Sequence, residues 1–466
     1  MASQSSHTEL IYTVDDVPPV AKAIMLGFQH YLIMFGATVL IPLLLSEKLG
    51  ITDPLEIGAL IGTMFFVSGI TTLLQTTLGN RLPIVQGGTF SLLVPALTIC
   101  GMAELAEAGW QVRMQHVQGA IIAGAVFEFV LGATGLVGKL VRFISPVVIA
   151  PTIALIGLAV VDIGAPKAGK DWLIGGLTIV LIILFSQYMK SVHRAFQLFP
   201  IMLAILLAWA MAAVGTWAGV FQTGHAAHVS ADAVAAAPWF RVPYPFQWGW
   251  PVFGVAAIVG MLAGYIASVV ESIGDYYACA RLSGAPVPDR TVISRGIAME
   301  GLGCLVAGVF GTGNGTTSYS ENIGAIGLTR VGSRRVIQVG AIAMIIFALF
   351  GKFGALFASI PEPIVGGVYC AMFGMIAAVG LSNLQFIDLN SARNLFIVGF
   401  SFFMGLSVPA YFKASPVSLE PDWLANIINT LGVTGMAVGA IIATLLDNTI
   451  PASADERGLT RWRDGH

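Results

Sequence analysis

Apolar runs of about 18 residues or more recur along the chain, separated by short stretches that carry most of the charge, as in helices that cross a bilayer. Reading runs against breakers predicts fourteen spans, at 22–45, 55–78, 84–100, 117–138, 143–164, 171–189, 197–220, 250–275, 291–311, 317–330, 333–356, 362–382, 392–411 and 424–446. Two of them depart from the pattern in corresponding places. The third carries Gln86-Gly87-Gly88-Thr89-Phe90-Ser91, and the tenth follows Gly311-Thr312-Gly313-Asn314-Gly315 and opens on Glu321-Asn322-Ile323-Gly324. Both are short, interrupted by Gly and polar at their start. They lie seven spans apart, and an odd number of spans per half inverts the second half. The chain therefore reads as an all-α polytopic membrane protein, a seven-plus-seven inverted repeat with broken half-helices in spans 3 and 10. Broken helices leave backbone N–H groups free, and the positive end of a half-helix dipole can hold a polar or anionic solute. Such backbone is tolerated only where protein or a water-filled cavity surrounds it. The pattern points to a transporter; close helix packing at the glycines is the structural alternative.

Composition closes off other classes. Of the 466 residues 56% are hydrophobic and only 10% charged, with a mean hydropathy of +0.84, which excludes a soluble domain. Fourteen spans place both termini on one side. With the termini cytoplasmic, seven of the 23 Lys and Arg (Lys48, Arg113, Lys167, Lys170, Arg241, Lys352, Lys413) fall outside. The others, including Arg194, Arg281, Arg290, Arg334 and Arg335, fall inside, so the positive-inside rule favours this orientation in a plasma (cytoplasmic) membrane. A formal net charge of −2, with no basic run interleaved with aromatics, excludes a nucleic-acid partner. Met1–Lys22 reads as a cytoplasmic tail, not a cleaved signal, and residues 221–249 as an extracellular loop between the halves. Cys100, Cys279, Cys304 and Cys370 read as small buried hydrophobes. The 311–315 loop lacks a Gly-Lys-Ser/Thr ending and follows no strand, so nucleotide binding is not expected. With no His-Glu-x-x-His, nucleophile-elbow or Asp-rich motif, neither is an enzyme.

Ionisable residues inside the spans carry the chemistry, since each costs about 2.5–3.5 kcal/mol at a helix centre unless it faces a partner or cavity. Glu271 and Asp275 stand four apart, on one helical face, with Gly274 leaving room beside them. Glu300 and Glu321 complete an acidic set. Two like charges at that spacing in low dielectric are not both expected to stay ionised, a property that suits a proton carrier; bonding to backbone N–H groups at broken helix ends is the structural alternative. His30, after Gln29, either orients the acids, relays a proton or packs as a neutral ring. Glu128 is expected to pair with a Lys or Arg near a helix end.

Gln29-His30, Gln86 through Phe90, Glu271 through Tyr276, and Glu321-Asn322-Ile323-Gly324 through Thr329-Arg330 together resemble the nucleobase-ascorbate transporter family. The last matches its signature: Gln, Glu or Pro, then Asn-x-Gly, four variable residues, Thr, and a basic residue or Gly. The likeness continues through Arg334-Arg335-Val336, Gly351 to Gly354, Gly380 to Phe386, Gly405 to Pro409 and Asp447-Asn448-Thr449. It implies a core domain from spans 1–4 and 8–11 (residues 1–138 and 250–356) and a gate domain from spans 5–7 and 12–14 (139–220 and 357–446), with 447–466 a cytoplasmic tail. Short strands accompany the broken helices, and the substrate lies between the half-helices. By motif position, Glu271 and Glu321 match the main substrate contacts, with Phe90 and Tyr319 beside them. Asn322, Gly324, Thr329 and Arg330 match the signature, and Asp275 and Glu300 match polar positions linked to transport and coupling; His30, read from its own chemistry as a proton relay, joins them as a candidate for cation coupling.

The residues and the resemblance together favour a nucleobase, uracil or a xanthine-like purine. Its ring N–H donors and carbonyls complement carboxylates at 271 and 321 and backbone N–H groups at 90 and 321. Glu271 to Leu282 and Gly380 to Leu406 resemble the animal vitamin C transporters, but those usually carry Pro where this chain has Glu321, which would repel ascorbate. The coupling cation is read as a proton, sodium being that of the vitamin C branch; no cofactor is expected. The resemblance further implies an elevator motion of core against gate, with Phe373 in the barrier, and a homodimer through the gate. Sulfate and bicarbonate carriers look alike in fold, but an acidic site disfavours small anions.

Overall fold

The computed structural model describes residues 10–140 and 143–460; residues 1–9 and 461–466 of the two predicted tails lie outside it. The described chain is almost wholly helical. Its first part comprises α1 (Val20–Leu49), α2 (Pro54–Thr77), β1 (Gln86–Gly88), α3 (Phe90–Cys100) and α4 (Trp110–Ala133). Then come α5 (Val137–Leu140), α6 (Pro146–Leu158), α7 (Val161–Ala168), α8 (Trp172–Ile183), α9 (Arg194–Leu198) and α10 (Pro200–Trp217). After α11 (Asp232–Ala236) follow α12 (Val255–Ser283), α13 (Arg290–Phe310), β2 (Thr316–Ser318), α14 (Ser320–Thr329), α15 (Arg334–Ala348) and α16 (Gly351–Ala358). The chain continues through α17 (Glu362–Ser382), α18 (Ala392–Ala414), α19 (Asp422–Val433) and α20 (Gly435–Thr449). Among the described residues, nine helical segments are long and apolar enough to cross a membrane, or ten if the bent pair α19–α20 counts as one. The eleven-residue α3 and ten-residue α14 are too short to do so alone.

Several predicted boundaries move, each for a local reason. α4 starts at Trp110, not 117, because Arg113 turns back onto the carbonyls of Leu105 (3.1 Å), Ala106 (2.8 Å) and Leu49 (3.2 Å). α12 runs past 275 to Ser283 and ends where Gly284 takes a left-handed φ of +69°, so Asp275 sits within the helix. The eleventh predicted span divides into α15 and α16, because Gly351 backs onto the Pro238 carbonyl: a Cβ there would lie 2.5 Å from that oxygen. The fourteenth bends by 91° between α19 and α20.

β1 and β2 form an antiparallel pair, with Gln86 opposite Ser318, Gly87 opposite Thr317 and Gly88 opposite Thr316. Around it α4 packs on α13, α2 on α13, α15 and α16, and α1 on α15. A Cβ on Gly340 would lie 2.7 Å from the Gly27 carbonyl oxygen, which shows how closely α1 and α15 approach. Farther along the chain α17 packs on α6, α7 and α8, and α20 on α6 and α18. There the Asp447 carboxylate, fully buried, takes Arg393 (2.9 Å) and Arg457 (2.8 Å) as partners and accepts from Ser145 Oγ (2.8 Å). Large apolar side chains left exposed on α4 (Phe129, Val130), α10 (Met211, Val214) and α18 (Phe396, Phe403) make the surface a lipid phase would cover. The 221–249 segment is packed down: Trp248 Nε1 donates to the Gly311 carbonyl (2.7 Å) and Arg241 Nη1 to that of Ala59 (3.2 Å).

Candidate substrate-binding site

The paired strands aim two helix starts at one region. α3 opens after Thr89, whose Oγ1 accepts from Ser91 N (3.1 Å), and Thr89 N in turn donates to Asn314 Oδ1 (2.9 Å). The 311–315 segment is thus a turn that lends a side chain to the opposite strand. Thr312 Oγ1 donates to the Asn314 carbonyl and helps hold it. α14 opens after Tyr319, and no side-chain hydrogen bond caps it. Tyr319 OH donates to the Gly88 carbonyl (2.9 Å) and lies 3.2 Å from Thr38 Oγ1, tying the second helix start to β1 and α1.

α12 brings its acids to these starts. Glu271 Oε2 accepts from Ser91 Oγ (3.0 Å), at the start of α3, and Asp275 Oδ1 accepts from Ser320 Oγ (2.8 Å), at the start of α14. On the same helix Ser268 and Ser272 meet Thr317 Oγ1 at 3.1 and 2.9 Å, fixing α12 on β2. A Cβ on Gly274 would meet nothing within 4 Å, so there is space beside the two acids. Glu300 Oε1, behind the strands, accepts from Gln86 Nε2 (3.1 Å) and Ser318 Oγ (2.6 Å). Glu271 lies within electrostatic reach of Glu321 and Glu300, so the four acids share one neighbourhood. A cavity of about 300 Å³ runs from Glu321 and Gly324 past Met372 and Met375 to Gln197, with Leu32 and Gly36 in its wall. Glu321 is accessible there, and Phe90 meets Phe373 of α17 edge-on at 5.9 Å.

Other predicted residues take different places. His30 is buried and meets Asn322, whose Nδ2 donates to the His30 carbonyl (2.9 Å) and lies 3.2 Å from His30 Nδ1; its contacts are with the signature amide, not with the acids. Thr329 and Arg330 stand at the far end of α14. Thr329 Oγ1 donates to the Ala325 carbonyl (2.8 Å), and Arg330, with a left-handed φ of +59°, accepts Ile11 N at its carbonyl (2.8 Å). They end the half-helix and dock the N-terminal segment. Glu128 departs from expectation: it pairs with no Lys or Arg in any described ion pair, and neither of its oxygens has a hydrogen-bond partner.

The Permease family profile matches residues 21–414. Solute carrier family 23 member 2 of Rattus norvegicus is 48% identical over 98% of this chain and 77% of its own length. Nucleobase-ascorbate transporter 1 of Arabidopsis thaliana is 40% identical over 97% of this chain and 92% of its own. The chain belongs to the nucleobase-ascorbate transporter family. Its fold is similar to that of the transmembrane domain of a cyanobacterium bicarbonate transporter, BicA (TM-score 0.60, 13% identity, 92% of this chain and 99% of that one). It is also similar to the murine Solute Carrier 26 family member A9 anion transporter in the inward-facing state (TM-score 0.61, 13% identity, 94% and 69%). At such identity the likeness concerns fold alone. As a nucleobase-ascorbate transporter the chain is a multi-pass membrane carrier of small molecules, not an enzyme.

Residues that sequence reasoning missed are the partners of the acids in this nucleobase-ascorbate transporter. Ser91, Ser320 and Ser318 each donate to one carboxylate. Cys304, read as filler, clamps β2: its Sγ accepts Thr316 N (3.3 Å) and donates to the Thr316 carbonyl (3.2 Å). Position beside a Gly-rich break was the only available signal for the serines, and nothing singled out the cysteine.

Proposed function

We propose that this transporter imports a nucleobase, uracil or a xanthine-like purine, in symport with a proton, binding it between the starts of α3 and α14. The observation that carries the reading is the pairing of two carboxylates with one uncapped helix start. Glu321 faces the cavity on α14, Glu271 is held by Ser91 of α3, and Tyr319, at the start of α14, gives that helix no side-chain cap. Ring N–H donors and an adjacent carbonyl complement that set, each charge-assisted hydrogen bond contributing about 1.5–3 kcal/mol. A second reading, ascorbate with sodium, is favoured by the stretches that resemble the vitamin C branch and by relatives whose name joins both substrates.

The same reading takes the chain as fourteen spans in a seven-plus-seven inverted repeat with both termini in the cytoplasm, its core sliding against its gate. On this reading the two proposed bodies meet where Lys167 Nζ on α7 lies 2.6 Å from Glu47 on α1, where Tyr369 OH on α17 donates to the Leu40 carbonyl (3.0 Å), and where Phe90 meets Phe373. A disulfide joining Glu47→Cys to Lys167→Cys is expected to stop uptake and leave substrate binding in place. Undiminished uptake by the crosslinked protein rules out relative motion at that contact.

Uptake of radiolabelled uracil into proteoliposomes under an imposed proton gradient tests the main reading. Flux that collapses with the gradient and is blocked by xanthine but not ascorbate is the expected result. Flux driven by sodium and blocked by ascorbate establishes the second reading instead.

A further inference from the structure

The face where α4 meets α13 pairs Glu300, one of the four acids around the strands, with a fifth buried acid that the substrate site does not use. Glu128 on α4 is 0% exposed, and neither of its oxygens has a hydrogen-bond partner. Glu300 on α13 is 1% exposed; its Oε1 accepts from Gln86 and Ser318, while its Oε2 has no partner. The two carboxyl groups are within electrostatic reach of each other, and the other titratable groups facing Glu128 are Cys304, Tyr265 and Tyr276. Each has a further partner: Cys304 bonds Thr316, Tyr265 OH donates to the Ile121 carbonyl (2.9 Å), and Tyr276 OH accepts from Gln75 Nε2 (2.8 Å) while its own O–H is left for Glu300. Beside the pair the helices meet backbone to backbone, since a Cβ on Gly301 would lie 2.4 Å from Phe129 N.

Two bare carboxylates cannot persist in such an interior, where each uncompensated charge costs several kcal/mol. A compensating positive charge is therefore required. A hard metal cation takes several oxygen ligands, but around Glu128 the other titratable groups are a thiol and two phenols, a poor set for one. A proton needs one oxygen. The surroundings also divide the roles: Glu300 collects Gln86 and Ser318, with Ser272 and Tyr276 beside it, as an ionised carboxylate does, whereas Glu128 has only the weak thiol of Cys304 beside it.

We propose that Glu128 and Glu300 are a proton-binding pair behind the paired strands, with one proton bound as an O–H on Glu128 and the single negative charge on Glu300. The proton comes from water by simple acid–base exchange. Glu128 is a positioning residue in this arrangement: by staying neutral it leaves Glu300 charged and free to hold Gln86 of β1 and Ser318 of β2 in register. The site exists whichever solute is carried, so its test reads the proton rather than transport.

Infrared spectra of the protein in lipid, in H₂O and D₂O, are compared for wild type and Glu128→Gln. The expected result is a carbonyl band of a protonated carboxyl that shifts on deuteration and loses one component in Glu128→Gln, with the variant still monodisperse. An unchanged band in that variant overturns the proposal, as does a wild-type component that appears only when sodium is withheld, which makes a sodium ion the resident charge. If Glu128→Gln does not fold, Glu128→Asp keeps the carboxyl and is expected to displace the band. A band that does not move counts against Glu128.

Discussion

The two half-helices share one geometry and differ in chemistry. α3 is closed by its own Thr89 and opens on Phe90, with no acid in its first turn. α14 has no side-chain cap and opens on Ser320 and Glu321. The acid that serves α3 arrives from outside, as Glu271 of α12 bonded to Ser91. One start is thus a finished surface with a ring on it, and the other an open set of donors with a carboxylate of its own. On the proposed binding mode the differences between the two starts give the site a direction, with the substrate's polar edge at α14 and its flat face near Phe90.

The strongest way to break that contrast is Glu321→Ala, which removes the only carboxylate supplied by a half-helix itself. Uptake is expected to fall about 100-fold with membrane expression intact, the loss of one or two charge-assisted hydrogen bonds. Near-normal uptake by this variant would place the substrate elsewhere. Next comes Gly87→Ala. Its Cβ would lie 2.7 Å from Tyr319 Cζ, so the ring must leave Thr38 and Gly88, and overpacking of this kind costs about 2 kcal/mol. A clear drop in thermal stability in detergent is expected, and an unshifted unfolding curve counts against the close approach of the two starts. Ser91→Ala is the mildest, because it removes a donor to Glu271 without touching the acid. Substrate affinity is expected to weaken about tenfold, whereas an effect as large as that of Glu321→Ala would mean that α3 is not the lesser partner.

What was legible in the chain was what is rare in a membrane interior. Carboxylates at 271, 275, 300 and 321 and glycines in runs at 87–88 and 311–315 stand out against an apolar background, and the structure gathers the four acids around the paired strands. Residues common in any helix could not be singled out. Ser91, Ser318 and Ser320 matter because of where β1 and β2 bring them, and hydropathy has no access to that pairing. Helix ends were misplaced where tertiary contacts decide them, as at Arg113 and Gly351. For Glu128 chemical plausibility suggests a basic partner and packing supplies a second acid, while His30, whose surroundings the sequence leaves open between the acids and plain packing, is buried against the signature asparagine.

The clamp on Asp447 bears on how this protein can be handled. Arg393 comes from α18, but Arg457 belongs to the segment beyond the last helix, which also lends the Glu456 carbonyl to Asn394 Nδ2 (2.8 Å) and the Glu456 carboxylate to Ser391 Oγ (2.8 Å). That segment is structural mortar rather than a loose end. An affinity tag or fluorescent fusion belongs after it; trimming the chain before Arg457 to aid crystallisation strips half the cations from a carboxylate that water does not reach.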